Sequence, residues 1–184
     1  MNRQQRRAAL KRRPSANRGI APMASWALQQ IAMLKSDLGD VPEEDKQQIL
    51  IPAHLCLNKL QFGGLDEGDF LYLCQVNGIA GELALSLSDK DASGQLANAA
   101  QACVDAADAL GAIYERHDKT GRYVAKADEL QHIKTSIQIL TDLLNISSRG
   151  AFISALDVTE RQLAAHGKSR VYAGVMNERH SSYG

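Results

Sequence analysis

Apolar residues return along this chain every three or four positions, in one segment after another. Residues 25–38 place Ala27, Ile31, Leu34 and Leu38 on one helical face, with Ser25 as N-cap and Gly39 as stop. The next segment, Val41 to Gly64, opens with Pro42 and three acids, which suit the positive end of a helix. Its face reads Ile49, Ala53, Cys56 and Leu60, and the Gly63–Gly64 pair ends it. Pro52 lies inside that run and lacks an amide proton, which predicts a break or kink near Ile51. A third helix starts at Asp66, with Asp69 in the capping-box position, and shows Phe70, Leu73, Val76, Ala80, Leu83 and Leu87. Gly78 and Gly81 within it suit the close approach of another helix.

The strongest pattern spans residues 90–117. Leu96, Ala100, Cys103, Ala107, Leu110 and Tyr114 alternate spacings of four and three, a heptad seam of mostly small residues. HDKTGRY, from His117 to Tyr123, reads as a turn. Beyond it, Leu130, Ile133, Ile137, Leu140 and Leu144 repeat the seam, with Asp128 and Glu129 in the first turn. The short connection over 118–127 predicts that the two seams pair as an antiparallel hairpin within one chain. Seams shared between two chains would instead make a homodimer. A last helix has Ser147 or Ser148 as cap, Phe152, Leu156, Thr159 and Leu163 as face, and Gly167 as stop. No stretch alternates apolar and polar residues between turn signals, so no sheet is expected. The pattern therefore predicts an all-α bundle of five to six helices over residues 25–167. A basic, flexible N-terminal arm (1–24) precedes it, and a loose C-terminal tail (168–184) follows.

Composition refines this picture. A chain of 184 residues, 45% of them hydrophobic, can bury one sizeable core. No run approaches the roughly 18 consecutive apolar residues of a membrane helix, so no membrane partner is expected. The net charge of zero conceals a split: residues 1–36 carry eight basic groups and no acid, and the first carboxylate is Asp37. The remainder holds 13 basic against 21 acidic residues. Arg3, Arg6, Arg7, Lys11, Arg12 and Arg13 are the candidate binding residues of the arm. They suit a polyanion, an acidic protein surface, or the chain's own acidic body. Eight cations support a salt-sensitive, sequence-indifferent association with nucleic acid. Base readout would need a basic recognition helix, yet Lys126, Lys134 and Arg149 lie scattered among acids. The head also lacks the apolar stretch of a secretory signal.

Four constellations invite a chemical reading, and each has a plainer one. DKDASG (Asp89 to Gly94) matches the first half of a calcium loop, but the twelfth position is Ala100 rather than a bidentate Glu. It reads better as a polar turn whose acids cap the next helix. ELQH (Glu129 to His132) has the Glu-x-x-His spacing of di-iron bundles, without the second copy they need. Cys56, Cys74 and Cys103 lie on or beside apolar faces, without a Cys-x-x-Cys pair, and behave as small hydrophobes in a reducing compartment. ERHDK (Glu115 to Lys119) gathers acid, base and imidazole at a helix end, where cations also offset the dipole. No phosphate-binding Gly loop, Gly-x-Ser-x-Gly or His-Glu-x-x-His is present. The chain therefore reads as a non-enzyme with no cofactor and no metal.

The opening MNRQQRRAA resembles the starts of small uncharacterised proteins of proteobacterial phages and prophages. So does the layout LCLNKLQFG…DFLYLCQVNG followed by GRYVAKADELQHIKTSIQILTDLLNISSRGAFISAL, and the resemblance spans most of residues 45–160. It carries no catalytic residue onto this chain. It implies a phage-borne accessory protein of the bacterial host cytoplasm, a class that works by binding a host protein, such as a defence component. The expectation is a non-enzymatic partner-binding protein that engages or blocks a host or phage protein. Nucleic-acid binding through the Arg-rich arm is the alternative.

Overall fold

A computed structural model describes residues 39–88 and 91–166. Five helices run through them: α1 (Glu43–Gln61), α2 (Glu67–Ser88), α3 (Gln95–Thr120), α4 (Ala127–Ile146) and α5 (Arg149–His166). No strand occurs among the described residues, and the all-α bundle stands. The predicted helix over 25–38, the N-terminal arm and the C-terminal tail lie outside the described residues.

The bundle is organised around α2, which packs against each of the other four helices. Its sequence explains that position. Phe70, every residue from Tyr72 to Gly81, Leu83 and Ala84 are buried, so no side of this stretch is left for water. A helix that is apolar all round belongs at a centre. Among the described residues, α2 is also the helix long and apolar enough to cross a bilayer by length and composition. Within the bundle 78% of that apolar window is buried, so the surrounding helices, rather than lipid, cover it. The seams of α3 and α4 pair within the chain, as the short connection predicted. Ala100, Cys103, Ala107, Leu110, Ile133, Ile137, Leu140 and Leu144 are all buried.

Asn77 brings a polar group into this core. Its Nδ2 donates to the Cys103 carbonyl at 3.1 Å, while the Ser136 hydroxyl donates to its Oδ1. The three residues come from α2, α3 and α4, so the satisfied network selects one register for three helices at once.

The helix boundaries follow local chemistry. Asp66 and Asp69 exchange side-chain acceptors and backbone amides at 2.8 and 3.2 Å, a reciprocal cap on α2. Ser148 caps α5 by accepting from the Ala151 amide at 3.2 Å. The turn predicted from His117 begins later, because α3 continues through Thr120. Gly121, at φ +71°, then ends it by donating its amide to the His117 carbonyl at 2.7 Å. The Thr120 hydroxyl supports that last turn by donating to the Arg116 carbonyl at 2.8 Å.

Of the break or kink expected near Ile51, the break does not occur: the helix runs from Glu43 to Gln61 with Pro52 inside it. A proline disturbs the hydrogen-bond ladder one turn before it. There the Tyr72 hydroxyl of α2 donates to the Ile49 carbonyl at 2.9 Å. Gln48, whose carbonyl loses its usual partner, is exposed to water. Solvent at Gln48 thus takes the place of the missing amide, and Tyr72 adds a tertiary anchor at the Ile49 carbonyl beside it.

The first described residues are tied to the junction of α4 and α5. The Gly39 carbonyl accepts from the Arg149 amide at 2.8 Å, and Asp40 forms an isolated antiparallel bridge with Ser148. Beneath them Asp45 and Arg149, both buried, form an ion pair at 3.0 Å.

Candidate functional site

The six cations assigned to the arm, Arg3, Arg6, Arg7, Lys11, Arg12 and Arg13, lie outside the described residues. The chemical motifs of the body lie within them, apart from Asp89 and Lys90, and each has a structural task. In the DKDASG turn, Asp91 accepts from the Ser93 hydroxyl, from the Leu96 amide at 2.7 Å and from the Ser93 amide at 2.9 Å. Those bonds hold its carboxyl below the usual range and spend both oxygens on capping α3.

Glu129 of the ELQH motif is buried and accepts from Arg116 at 2.6 and 3.0 Å and from the Lys126 amide at 2.7 Å. Burial opposes its ionisation, but the Arg116 guanidinium and the Lys126 amide outweigh it and pull the carboxyl below the usual glutamate value. His132, the other end of the motif, is exposed. No group of three or more His, Cys, Asp or Glu suited to a metal occurs among the described residues.

All three cysteines are buried and free. Cys56 donates its thiol to Asp69 Oδ1 at 3.6 Å, and Lys59 salt-bridges the same carboxylate at 2.8 Å. This trio resembles an activated thiol only on paper. Burial, reinforced by the Asp69 charge, pushes the Cys56 thiol up to about 12, so it stays protonated at neutral pH. Burial raises Cys103 to about 11 and moves Cys74 the same way.

The ERHDK cluster separates in three dimensions. Arg116 turns to Glu129, whereas His117 stacks on Tyr123 with ring centroids 4.0 Å apart. Tyr123 in turn stacks on Phe70 at 4.7 Å, and Tyr114 tilts against Phe70 at 5.8 Å. Four rings from α2, α3 and the following connection close one end of the bundle. Their sequence separation hides the stack, and burial lifts the Tyr123 hydroxyl to about 12.

Two surfaces remain that these structural tasks do not consume. The first is the outer face of α1. Ile51, Leu55 and Phe62 are 57%, 48% and 82% exposed. They share the helix side opposite the buried face of Ile49, Ala53, Cys56 and Leu60. Their exposed neighbours include the amides Gln47, Gln48, Asn58 and Gln61, with His54 beside Leu55, Glu44 two turns before Ile51, and the half-buried Lys59, held by Asp69, one turn after Leu55. The sequence did hold this signal, since these three apolar residues do not fit the face from Ile49 to Leu60.

The second is an open apolar groove of about 530 Å³, lined by Leu87, Asp91, Gln95, Leu96, Ala99 and Ile146. It lies where the ends of α2 and α4 meet the start of α3. Leu87 and Leu96, both predicted on core faces, are only half-buried there, and Ile146 is 66% exposed.

No protein-family model, curated protein or solved structure matches the chain. Its surfaces and charges therefore carry the functional reading.

Proposed function

We propose that this chain is a non-enzymatic accessory protein that acts by binding another protein through the outer face of α1. The observation that supports this is the stripe of Ile51, Leu55 and Phe62, apolar at its centre, edged mostly by amides, with His54 and Glu44 at its rim and Lys59 already paired to Asp69. Protein interfaces have that anatomy: an apolar or aromatic centre depleted of charge. A polyanion would be drawn to a cationic surface, and the stripe offers it none. The partner is a protein presenting a complementary apolar, uncharged face, such as a helix laid along α1. This agrees with the phage-type role that the sequence resemblance implies, in which the partner is a host protein of the bacterial cytoplasm. The arm residues Arg3 to Arg13 add charge that speeds encounter with an acidic partner.

The test uses the full chain as bait in a bacterial lysate, followed by reconstitution with the purified captured protein. The expected result is a defined complex whose Kd rises at least about tenfold in Ile51→Lys/Leu55→Lys, a loss of about 1.4 kcal/mol or more. Substituting the six arm cations should slow association while leaving the complex intact. Unchanged binding by the stripe variant would overturn the proposal. A steeply salt-dependent complex with nucleic acid that vanishes with the arm cations would move the function to the arm.

A further inference from the structure

Of the asparagines in the chain, only Asn77 is followed by glycine. In an open chain that pair is the one most prone to cyclise, because glycine has no Cβ to shield its amide from the side chain before it. Here the fold places the pair at the centre of α2, where Asn77 is 3% exposed and Gly78 is buried beside it. We propose that Asn77–Gly78 is a latent self-modification site: it is silent in the folded bundle, and a chain whose α2 opens deamidates there and loses the ability to rebuild its core.

The chemistry needs only water. The Gly78 amide nitrogen passes its proton to hydroxide and bonds to Asn77 Cγ. The Cγ–Nδ2 bond breaks, and Nδ2 takes a proton from water and leaves as ammonia. Water then adds to one carbonyl of the resulting cyclic imide, and the C–N bond at that carbonyl breaks. Opening at Cγ leaves aspartate in an ordinary backbone. Opening at the main-chain carbonyl leaves isoaspartate, which routes the backbone through the side chain.

The folded bundle blocks the first of these steps in two ways. In a helix the Gly78 amide is directed at the carbonyl four residues back, that of Cys74, rather than at its neighbour's side chain. The Asn77 side chain is also held away, since Nδ2 donates to the Cys103 carbonyl of α3 at 3.1 Å and Oδ1 accepts from Ser136 of α4. Freeing the pair therefore means unwinding the helix that packs on all four others, one of the most costly openings the bundle has. Modification then proceeds only from the open fraction, at a rate set by the opening equilibrium.

The products do not fit the space they came from. Aspartate has no hydrogens to offer the Cys103 carbonyl, so two oxygens face each other where a hydrogen bond was, and a charge is buried with them. Isoaspartate adds a methylene to the main chain in mid-helix and breaks the turn on either side. Each long-lived opening of α2 is thereby recorded in the covalent chain, independently of what binds α1.

Peptide mass spectrometry of the full chain, incubated in native buffer and in denaturing urea at one pH and temperature, tests this. Deamidation at Asn77 should be at least about a thousandfold slower in the native chain, the factor a marginally stable fold supplies. Gly78→Ala, read in urea alone so that its folding does not matter, should slow the unfolded reaction at least about tenfold, because the added methyl shields the amide. Ser136→Ala releases one tether, and in native buffer it should speed modification by the same factor by which it raises the unfolding equilibrium constant. Chains modified in urea and then diluted should stay sensitive to a pulse of protease, while their unmodified companions refold and resist it. Native modification as fast as in urea would overturn the proposal, as would a Ser136→Ala rate that ignores stability. Modified chains that refold alongside the rest would overturn it too.

Discussion

In α2 every residue from Tyr72 to Gly81 is buried, whereas α1 buries one face and turns Ile51, Leu55 and Phe62 outward. The two helices are neighbours in sequence and in space. Their apolar residues nonetheless serve different ends. Those of α2 from Tyr72 to Gly81 are enclosed by protein and stabilise the fold, while the outward residues of α1 leave half or more of their surface to water and contribute less to it. An apolar residue in a helix is therefore a stability feature or a binding feature according to its side, and identity alone does not say which.

The sharpest way to break this contrast is a matched pair of truncations. Leu83→Ala in α2, at a fully buried site, should cost about 2–5 kcal/mol in urea unfolding, since it leaves a cavity in the core. Ile51→Ala in α1 should stay within about 0.5 kcal/mol of the parent. A comparable cost at both sites would mean that Ile51 is covered in the isolated protein, and the contrast would fail.

A smaller effect probes the polar centre of α2. Ser136→Ala removes the hydroxyl that donates to Asn77 Oδ1 and should cost about 1–3 kcal/mol in the same assay, because a buried acceptor is left without a donor. Adding Asn77→Leu should recover part of that loss if the network acts as a unit.

Next comes acid sensitivity at the α3–α4 connection. Glu129 ionises more readily when folded than when unfolded. Its contribution is complete above the ordinary glutamate value of 4.5 and is lost as pH falls through the lower folded value. Tm measured from neutral pH downward should therefore fall more steeply below 4.5 in the parent than in Glu129→Gln. Parallel curves would show that Arg116 and Lys126 do not bias the carboxyl. The smallest effect belongs to the outer face again: Phe62→Ser should leave the unfolding free energy within about 0.5 kcal/mol of the parent while reducing the binding of an apolar dye.

Much of the fold was legible because it rests on local periodicity. The faces of Ile49–Leu60, Phe70–Leu83, Ala100–Leu110, Ile133–Leu144 and Phe152–Thr159 are the ones the bundle buries. Pro52 sits within α1 without ending it, and the Tyr72 hydroxyl that anchors the nearby Ile49 carbonyl comes from another helix, beyond the reach of local periodicity. The stack of Phe70, Tyr114, His117 and Tyr123 was hidden for the same reason, since its rings come from α2, α3 and the connection after α3. The α1 stripe was half legible: Ile51, Leu55 and Phe62 stand out from the main face, but periodicity does not reveal which side of a helix finds a neighbour. The arm cations were plain in the sequence, and what they touch depends on residues outside the described bundle.

The burial of Cys56, Cys74 and Cys103 has a practical consequence, because these are the only cysteines in the chain. In the native protein a maleimide meets no exposed thiol. A cysteine placed at Phe62 would be the one site to take a fluorophore or spin label, with no need to delete the three beneath it. The protein arrives ready for distance measurements along the very helix proposed to meet its partner.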